Sequence, residues 1–566
     1  MKYSQLHTKT NKTGKEYDSV NATYLINGGF IDQTMAGVYT FLPLGLRVLR
    51  KIEQIVRQEM DTIGVEVMMP TLSPKSLWEQ TGRLDIIDVL MKTAGANHRS
   101  LSKSTQEYII NCTHEEVVTP IAKQFNPSYR DFPFAYYQIQ SKFRNEARAK
   151  SGLLRGREFR MKDLYSFHVS EQDLEDYYQQ SKEVYRRVFK RLGLGSDTYV
   201  VRASGGDFTD NYSHEFQTRC ESGEDEVFYA AQSEVAFNKE IAPSQAPEFD
   251  QSGEQPAERR EVEGEGIVGA EALAKHLDIP IEKTTKTILF EADDGRLIAA
   301  AVRGEYDINE EKLRKVAGCS GLRLASAERV KQVTGAEVGY AGIIGLPDEV
   351  AVYLDDSLAG RVNFESGANR TNYHIINVNF GRDLPEPSRF YDIKMALAGD
   401  YFPETSEQYE VFRAAEVGNI FPLYTKFSDA FGYTFTDQQG KQQPVYMGSY
   451  GIGTSRVMGV LVEKFHDEHG IIWPEQVAPF KVQLVSLAGG ESLAEWLHDQ
   501  LQANQVEVLW DDRQLGAGEK LADADLIGCP IRLVTSAKNG NQVELKRRDE
   551  AEAQLLAHHR VCAAVS

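Results

Sequence analysis

A run of alternating side chains, a basic loop and a second alternating run constrain the fold of this chain more than any other feature. The polar side chains of the first run share one strand face, namely Gln138, Gln140, Lys142, Arg144 and Glu146. The loop at 147–156 leads into a second strand-like run at 157–167, so the pattern predicts an antiparallel hairpin. One face of this hairpin is polar where a plain core strand would be apolar.

Length and composition indicate several domains. With 566 residues the chain is several times longer than a usual single-core domain of roughly 100 to 200 residues. Hydrophobic residues make up 41% of the chain, which is enough for separate packed cores. Residues 243–264 are rich in Pro, Glu, Gln, Ser and Gly and are predicted to be a linker, after which 268–383 mix helical and strand patterns. A third transition falls at 473–479, and helix and strand patterns then alternate to the end.

The charge balance lowers the expectation of a nucleic-acid partner without excluding one. The net charge is −20, whereas phosphate binding is driven by Lys and Arg that release counterions. An acidic enzyme can still bind RNA through a local basic strip, and Lys546, Arg547 and Arg548 are a candidate. The alternative for these three charges is a solvated strand end.

Cysteine usage and hydropathy bound the compartment. Five cysteines are scattered without any C-x-x-C pair, so neither a disulfide framework nor a structural zinc site is expected. Residues 1–17 lack the apolar run of a secretory signal, and no later stretch approaches the apolar length of a membrane span. We therefore expect a cytoplasmic protein with reduced, mostly buried thiols and no membrane partner.

A glycine-containing segment and the hairpin together suggest a nucleotide site. The segment 451–456 has arginine at its sixth position, where the dinucleotide-binding fingerprint needs glycine, so it is a weak signal alone. The hairpin region supplies further groups that could surround a nucleotide, namely Arg144, Glu146, Arg155 and Phe159. Arginine forks bind phosphates, a carboxylate accepts from an exocyclic amine, and an aromatic ring or a guanidinium covers a base.

These segments resemble the signature motifs of class II aminoacyl-tRNA synthetases. Residues 143–146 with 155–159 resemble motif 2, and 451–456 resemble motif 3. The sequence also resembles motif 1, in a predicted helix over 44–63 and a short strand that ends at Pro70. Four further segments are similar to bacterial-type prolyl-tRNA synthetases specifically, at 113–116, 137–144, 161–167 and 213–216. The class I signatures are absent from the sequence.

The resemblance implies roles for the residues of an activation site. Arg144 would hold the α-phosphate and the proline carboxylate, and Arg456 would reach the γ-phosphate, as the two catalytic residues. Thr113 and Glu115 would accept the two N–H groups of the proline ammonium; a capping box of Thr113 with Glu116 is an additional reading that can coexist with this role. The expected contacts to ATP, which binds with Mg²⁺, come from Arg144, Glu146, Arg155, Phe159, Glu416 and Arg456.

The resemblance also implies an α+β multidomain fold and a domain order. A class II antiparallel-sheet catalytic core would span 1–233 and 401–475, an inserted α/β editing-like domain 234–400, and an α/β anticodon-binding domain 476–566. A homodimer with motif 1 at its interface is expected. Contacts to tRNA(Pro) would come from Arg513, Lys520, Lys546 and Arg547. Editing of mischarged tRNA would rest on Lys286, Asp355 and His374.

The sequence departs from the family pattern at several positions. The motif 2 loop has Ala149 and Ser151 where the family has a proline and an aromatic residue. Asn419 stands for the usual histidine, and Tyr424 for the usual glycine. In the inserted segment, Ile343 aligns with a position that usually holds proline, which leaves the size of an editing pocket open.

Two alternative functions stay open. Another class II specificity, such as threonine or serine, is one; the threonyl enzyme needs a zinc ion held by Cys and His, and Cys112 stands alone in the matching region. A catalytically silent protein that binds RNA or regulates a partner is the other. Such a paralogue would be expected to have lost Arg144, Glu146 or Arg456, and all three are present.

Overall fold

A computed structural model describes residues 1–11, 16–206 and 212–565. The chain divides into two compact units. The first consists of Met1–Val200, Ser204–Asp225 and Arg413–Ser566, and the second of Val201–Ala203 and Glu226–Phe412.

Six strands of the largest sheet, which has nine strands, belong mainly to the first unit. In spatial order they are Tyr212–Arg219, Glu410–Tyr424, Tyr446–Ile452, Glu158–His168, Phe134–Phe143 and Val65–Glu66. The first five pair antiparallel, and Val65–Glu66 pairs parallel with its neighbour. The predicted hairpin is confirmed, because Phe134–Phe143 and Glu158–His168 are antiparallel partners along their whole length.

The predicted amphipathic helix runs from Pro43 to Met60 and packs its apolar face into the largest core of the unit. Proline at the first helical position suits a helix start, since it has no N–H to leave unpaired. The short strand that was predicted to end at Pro70 ends earlier, at Glu66, and the Met69 backbone N–H donates to the Gln138 side chain instead. The other helices here are Val20–Asn27, Lys75–Gln80, His98–Leu101, Glu115–Phe125, Glu171–Arg191, Lys426–Ala430 and Thr454–Lys464.

Short strand pairs surround this sheet. They are Ile31–Met35 with Val38–Phe41, Thr434–Thr436 with Gln442–Pro444, His466–Asp467 with Gly470–Ile471, and the three strands Leu72–Pro74, Tyr108–Ile110 and Met91–Thr93. A further strand, Thr198–Ser204, follows the long helix Glu171–Arg191.

The C-terminal part of the first unit is a five-stranded sheet with its own core. Its strands in spatial order are Val508–Asp511, Val482–Ser486, Ile531–Thr535, Gln542–Arg547 and Gln554–Ala557. The first three are parallel and the last two join antiparallel. The Met1 amino group donates to the Val508 carbonyl at 2.9 Å, and Lys2 forms a parallel bridge with Trp510, so these two residues extend the edge of the first strand. The helices are Glu491–Ala503, Ala517–Ile527 and Val561–Val565, so the predicted alternation of helix and strand is confirmed.

The second unit combines two principal sheets. One consists of Leu322–Leu324, Thr285–Ala292, Leu297–Arg303 and Val350–Leu354, and the other of Arg260–Glu263, Tyr373–Val378 and Phe364–Gly367. Its helices are Ala270–Leu277, Glu310–Ala317 and Ala327–Thr334, and its remaining strands include Val235–Asn238, Tyr401–Phe402 and Glu407–Gln408. Residues 243–259 have no regular helix or strand, as predicted for the linker. The predicted linker extended to residue 264, and this last part is wrong, because strand Arg260–Glu263 pairs with Tyr373–Val378.

The five cysteines are free thiols, and four of them are buried. In the described ranges, every helix is too short or too polar to cross a membrane.

Candidate active site

A cavity of about 320 Å³ lies on the large sheet of the first unit. Most of its lining comes from the strands Glu158–His168, Glu410–Tyr424 and Tyr446–Ile452. The predicted site residues that line it are Thr113, Arg144, Phe159, Glu416 and Arg456. Chain segments more than 300 positions apart therefore meet at one site.

A smaller cavity of about 180 Å³ shares Glu416 and Arg456 with the first. The predicted residues Glu146 and Arg155 line it, together with Glu224 and Asp225. Burial raises the pKa of Asp225, and the charge of Glu416 adds to this shift. The two cavities therefore adjoin at Glu416 and Arg456, and both are lined by cations and carboxylates.

Arg144 carries a charge that is available to a ligand. Its guanidinium carbon lies 5.2 Å from the centre of the Phe159 ring, which supports it through a cation–π contact. Its backbone N–H donates to the Arg157 carbonyl, which fixes the end of the hairpin. Among the described residues its side chain forms no ion pair, so an anion entering the cavity meets an uncompensated cation.

Arg456 is held by the protein before any ligand arrives. Its Nε donates to the Leu154 carbonyl at 2.7 Å and its Nη1 to the Glu416 carbonyl at 2.8 Å. The Glu416 carboxylate lies 3.4 Å from the same Nη1. These contacts fix the plane of the guanidinium, as a group that must recognise charge geometry requires.

Glu146 and Arg155 are partners of each other. The Arg155 guanidinium lies 2.7 Å from Glu146 Oε2 and 3.0 Å from Glu224 Oε2. Lys150 in the basic loop also pairs with Glu224, at 3.1 Å. A nucleotide that used Glu146 and Arg155 would therefore exchange these ion pairs for its own contacts.

The capping-box reading of Thr113 is wrong. The N-cap of helix Glu115–Phe125 is His114, and no side chain caps this helix end. The Thr113 hydroxyl donates instead to Glu115 Oε2, at 2.5 Å. Glu115 is fully buried behind the cavity wall and also accepts from Ser449 at 3.0 Å, so Thr113 and Ser449 stand between its carboxylate and the cavity.

A buried polar network lies next to Thr113, and the sequence reading missed its importance. Lys142 Nζ lies 2.8 Å from Asp163 Oδ1 and 2.6 Å from His114 Nδ1. An ammonium can only donate, so His114 accepts at Nδ1 and donates from Nε2 to the Pro70 carbonyl. Asp163 also accepts from the Tyr165 hydroxyl at 3.0 Å, and both Asp163 and Tyr165 line the cavity.

The network fixes the protonation of its members. Burial, and then the charge of Lys142, lowers the pKa of His114 to about 4. Burial opposes the ionisation of Asp163, yet Lys142 holds the pKa of this carboxyl below its usual value. The wall of the cavity therefore carries an anionic Asp163 beside a neutral His114 at neutral pH.

This depressed histidine pKa should make the protein less stable in acid. Between about pH 6.5 and pH 4 the unfolded chain binds a proton at His114 that the folded protein does not. The stability that neutral His114 contributes above pH 6.5 is therefore lost as the pH falls, by ~3 kcal/mol at pH 4. Urea denaturation at several pH values should give a steeper acid-side loss for the native protein than for His114→Gln.

The native protein must be compared with His114→Gln, because Glu116 changes the stability with pH in the opposite sense to His114. Burial raises the pKa of Glu116 to about 7, against the charge of Arg83, so its protonation stabilises the folded protein as the pH falls. Both proteins carry Glu116, and the difference between their pH slopes isolates His114. Identical slopes would contradict a neutral His114.

Two departures from the family pattern have structural counterparts. Asn419 lines the large cavity, and its buried Oδ1 accepts no hydrogen bond from the described residues. Tyr424 has a φ of 50°, a left-handed conformation that glycine adopts without cost. The usual glycine at this position is therefore explained by the backbone, and tyrosine is accommodated at some strain.

The four predicted tRNA contacts do not form one cluster. Arg513 follows the C-terminal end of strand Val508–Asp511, whereas Arg547 pairs with Ile531 at the opposite end of the sheet. Lys546 neighbours Arg547 in the same strand. Lys520 is buried and donates to the backbone carbonyls of two residues, so its ammonium is already used within the protein.

The three predicted editing residues have separate partners in the second unit. Lys286 Nζ donates to the Tyr306 carbonyl at 2.7 Å and pairs with Asp307 at 2.5 Å. The buried Asp355 carboxylate accepts from the backbone N–H groups of Ser357 and Ile393.

Lys286 belongs to strand Thr285–Ala292, and His374 lies on the opposite side of the sheet that contains this strand. Its Nδ1 contacts Glu365 at 2.9 Å, and Glu365 also accepts from the Thr285 backbone N–H. The Thr285 hydroxyl donates to the Glu365 carbonyl, so this side chain points toward Glu365. Neighbouring residues of a strand point to opposite faces of the sheet, so Lys286 and Thr285 lie on opposite faces. The Glu365–His374 pair lies on the Thr285 face.

Other residues of the candidate site escaped the sequence reading. No role was predicted for Asp163, Tyr165, Ser449 or the fully buried Arg83, which lies 2.9 Å from Glu116. Lys142 and Asn419 were named from the sequence, but without a role at the site. The alternation of polar residues over 138–142 could have indicated a role for Lys142, because it is the spacing of a strand whose polar face is buried.

The sheet, the two joined cavities and the arginines on their walls define a class II aminoacyl-tRNA synthetase core. Residues 99–465 match the family model described as the tRNA synthetase class II core domain (G, H, P, S and T). Residues 481–565 match the model described as the anticodon binding domain.

Relatives specify the family further. A proline–tRNA ligase of Moorella thermoacetica is 40% identical over 560 residues, which are 98% of this chain and 96% of the relative. Proline–tRNA ligases of Geobacter sp. (strain M21) and Geobacillus kaustophilus are also 40% identical, over 98% and 93% of this chain and 97% and 92% of their own lengths. The chain belongs to the proline–tRNA ligase family.

Proposed function

We propose that this protein activates L-proline with ATP and transfers it to tRNA(Pro). The observation that carries the proposal is the pair of joined cavities, with Arg144 and Arg456 on their walls, in a chain whose relatives are proline–tRNA ligases. The reaction joins the proline carboxylate to the α-phosphate of ATP and releases pyrophosphate. The carboxylate is already a nucleophile at neutral pH, so no general base is required.

Arg144 and Arg456 would stabilise the charge that spreads over the phosphates in this step. The unpaired side chain of Arg144 supports a role at the α-phosphate and the proline carboxylate. The fixed guanidinium of Arg456 supports a role at the γ-phosphate. Phe159 offers a ring for the adenine, while Glu146 and Arg155 would exchange their mutual ion pair for the adenine amine and the terminal phosphates.

ATP would bind together with Mg²⁺, which neutralises phosphate charge during the displacement. Glu416 and Asp225 line the smaller cavity, and carboxylate oxygens are the ligands that Mg²⁺ prefers. Mg²⁺ usually takes only one or two protein carboxylates alongside substrate phosphates, which fits this donor set.

The amino-acid end of the site would lie at Thr113. The secondary ammonium of proline has two N–H donors, and the Thr113 and Ser449 hydroxyls reach the cavity while both donate to Glu115. Glu115 thus supports the pocket from behind, and anionic Asp163 offers a further acceptor on the cavity wall. This arrangement suits a small cationic ring.

Pyrophosphate exchange into ATP, measured separately with each of the twenty amino acids, tests the proposal. Proline should give exchange well above a blank without amino acid. Exchange with threonine or serine alone would favour another class II specificity. No exchange with any amino acid would support a catalytically silent RNA-binding protein and refute the proposal.

A homodimer is part of the proposal. The segment that follows helix Pro43–Met60 exposes three apolar side chains, Val65, Met68 and Leu72, and Met68 is 91% exposed. Contiguous exposed apolar surface is typical of an interaction site. Sedimentation equilibrium of the purified protein tests it, and a monomer at micromolar concentration would exclude a stable dimer.

The second unit is proposed to hydrolyse Ala-tRNA(Pro). Alanine is smaller than proline, and an apolar pocket rejects a smaller side chain by only about 1 to 3 kcal/mol per methylene, so a second hydrolytic site would be useful. The loop that carries Ile343 is held by Asn369, whose amide contacts the backbone of Gly342 and Ile344. A Cβ at Gly342 would lie 1.9 Å from the Gly367 carbonyl, so the loop is closely packed there.

Replacing Lys286 by alanine should abolish the preference for Ala-tRNA(Pro) without reducing proline activation. The reason is that Lys286 offers a partly exposed cation near the start of strand Thr285–Ala292, while proline activation rests on other residues. Deacylation of purified Ala-tRNA(Pro) and Pro-tRNA(Pro) measures the preference. Lys275→Ala, which removes an exposed lysine of the same unit, is the matched control.

The variant His374→Gln tests the other face of the sheet. Normal deacylation by Lys286→Ala combined with a loss in His374→Gln would move the hydrolytic site to the His374 face and contradict the assignment of Lys286. Equal hydrolysis of Ala-tRNA(Pro) and Pro-tRNA(Pro) by the native protein would contradict editing itself.

A further inference from the structure

A cavity of about 510 Å³ in the second unit lies between the linker at 243–259 and the loop that follows strand Val350–Leu354. The linker lines it with residues between 245 and 251, and the loop lines it with residues 356, 357 and 359–361. Arg303 and Pro403 complete the lining. This cavity, which we call the linker cavity, shares no lining residue with the two cavities of the candidate active site.

Arg361, on the wall of the linker cavity, is a buried cation without an ion-pair partner among the described residues. It is 5% exposed, and its Nη1 and Nη2 donate to the Thr285 hydroxyl at 3.1 Å and the Thr284 carbonyl at 3.0 Å. Both acceptors are neutral, and the buried Nε of Arg361 has no acceptor in the part of the chain that the structure describes. An uncompensated charge inside a protein is costly, so this position favours an anion nearby.

The carboxylates that lie near Arg361 already have other partners. Glu305 pairs with Arg303, and Glu365 contacts His374 Nδ1 at 2.9 Å. Burial lowers the pKa of Arg361 to about 9, and the charge of Glu365 does not offset this shift. The protein itself therefore leaves the charge of Arg361 largely uncompensated.

Arg303 supplies a second guanidinium on the cavity wall. It is also 5% exposed, its Nε donates to Glu305, and its Nη1 donates to the Pro247 carbonyl at 3.0 Å. Its Nη2 donates to none of the described residues. The guanidinium is thus held in one orientation with a donor left for a ligand, which suits recognition of a planar carboxylate.

The other charges on the cavity wall limit the charge of a ligand. Asp356 pairs with Lys394 at 2.5 Å, and burial raises the pKa of Asp356 to about 7. Glu248 also lines the cavity and is exposed. A monoanion would balance the one unpaired cation, Arg361. A dianion such as a phosphate monoester would bring a second negative charge close to Asp356 and Glu248.

The rest of the lining suits an apolar body. Phe249 is partly exposed in the cavity, and Ala246, Pro247 and Pro403 add apolar surface. Cavities of roughly 300 to 1,000 Å³ with apolar walls and a few placed polar groups are typical of sites for small organic ligands. The linker cavity therefore combines a place for one negative charge with a place for an apolar group.

We propose that the linker cavity binds a small organic monocarboxylate, with its carboxylate at Arg303 Nη2 beside Arg361 and its apolar part against Phe249. The bound acid connects linker residues 245–251 to the loop at 356–361. This site is additional to the activation of proline and does not depend on it.

Isothermal titration calorimetry of the full-length protein tests the proposal, with acetate, phenylacetate and indole-3-acetate as probes at neutral pH and constant ionic strength. Phenylacetate should bind at least about tenfold more tightly than 2-phenylethanol, which has the same ring and no charge. It should also bind more tightly than phenyl phosphate, a dianion. The absence of binding by all three carboxylates at millimolar concentration would overturn the proposal, as would tightest binding by phenyl phosphate.

The variant Arg361→Gln assigns the binding to this cavity. It should weaken phenylacetate binding at least about tenfold and leave proline-dependent pyrophosphate exchange unchanged. Without ligand, its Tm should equal or exceed that of the native protein, because the substitution removes an unpaired buried charge. Arg296→Gln, which removes an exposed arginine of the same unit that pairs with Asp294, is the matched control and should bind phenylacetate as the native protein does.

Native affinity for phenylacetate in folded Arg361→Gln protein would overturn the proposal, whatever its Tm. If this variant does not fold, Phe249→Ala decides the question, since it shortens the apolar wall and leaves both arginines in place. Phe249→Ala should weaken binding of phenylacetate and leave that of acetate unchanged. Unchanged affinity for phenylacetate in Phe249→Ala would place the ligand outside the linker cavity.

Discussion

Replacing Arg144 by alanine should lower proline-dependent pyrophosphate exchange at least about a hundredfold. Arg144 faces the large cavity, rests on the Phe159 ring and lacks an ion-pair partner among the described residues, so its charge is free to act on the substrates. Removing one preorganised donor from a developing anion costs roughly 3 to 4 kcal/mol of transition-state stabilisation. The measurement is the initial rate of exchange at saturating ATP and proline.

Arg130→Ala is the matched control for Arg144→Ala. Arg130 also lies over an aromatic ring, that of Tyr129 at 5.6 Å, but it is exposed and does not line the cavity. It should retain the native rate of exchange. Near-native exchange by folded Arg144→Ala protein would show that the phosphate site lies elsewhere.

Replacing Lys142 by methionine should lower the free energy of unfolding by about 3 to 5 kcal/mol at pH 8. The substitution keeps the length and packing of the side chain but leaves the buried Asp163 carboxylate without its cation. Removing one partner of a buried ion pair costs this much because an uncompensated charge remains inside. Urea denaturation followed by tryptophan fluorescence measures the loss.

The penalty for Lys142→Met should be smaller at pH 5.5 than at pH 8. Without the neighbouring ammonium, His114 can bind a proton and replace the lost cation, since its Nδ1 lies 3.7 Å from Asp163. The double variant Lys142→Met/Asp163→Asn should be more stable than Lys142→Met, because it also removes the unpaired anion.

Lys162→Met is the control for burial alone. Lys162 is another fully buried lysine, but burial holds its pKa well below the usual value and it donates to Tyr185 and the Tyr450 carbonyl. Its replacement leaves no carboxylate behind and should cost less than Lys142→Met. An equal loss in both variants would mean that the ion pair with Asp163 contributes nothing specific.

Local patterns in the sequence predicted the elements well. The hairpin, the long helix after Pro43, the linker and the alternating C-terminal part follow from periodicity and from turn residues, which act over a few positions. The residues that resemble motif 2 and motif 3 line joined cavities, as a shared activation site requires.

Long-range placement could not be read from the sequence. The directions of the strands place Arg513 and Arg547 at opposite ends of one sheet, although both belong to the C-terminal part of the first unit. The position of Lys520 in its helix turns its ammonium inward. Whether a polar residue faces substrate or another buried polar residue depends on partners far along the chain, as for Lys142 and Asp163.

The contact of Met1 with Val508 has a consequence for synthesis on the ribosome. These residues are 507 positions apart, so Met1 is synthesised long before the strand that it contacts. At about 5 to 20 residues per second, this interval is roughly 25 to 100 s. Until strand Val508–Asp511 has been made, Met1 and Lys2 have no strand edge to pair with, so this edge of the sheet is completed late in synthesis.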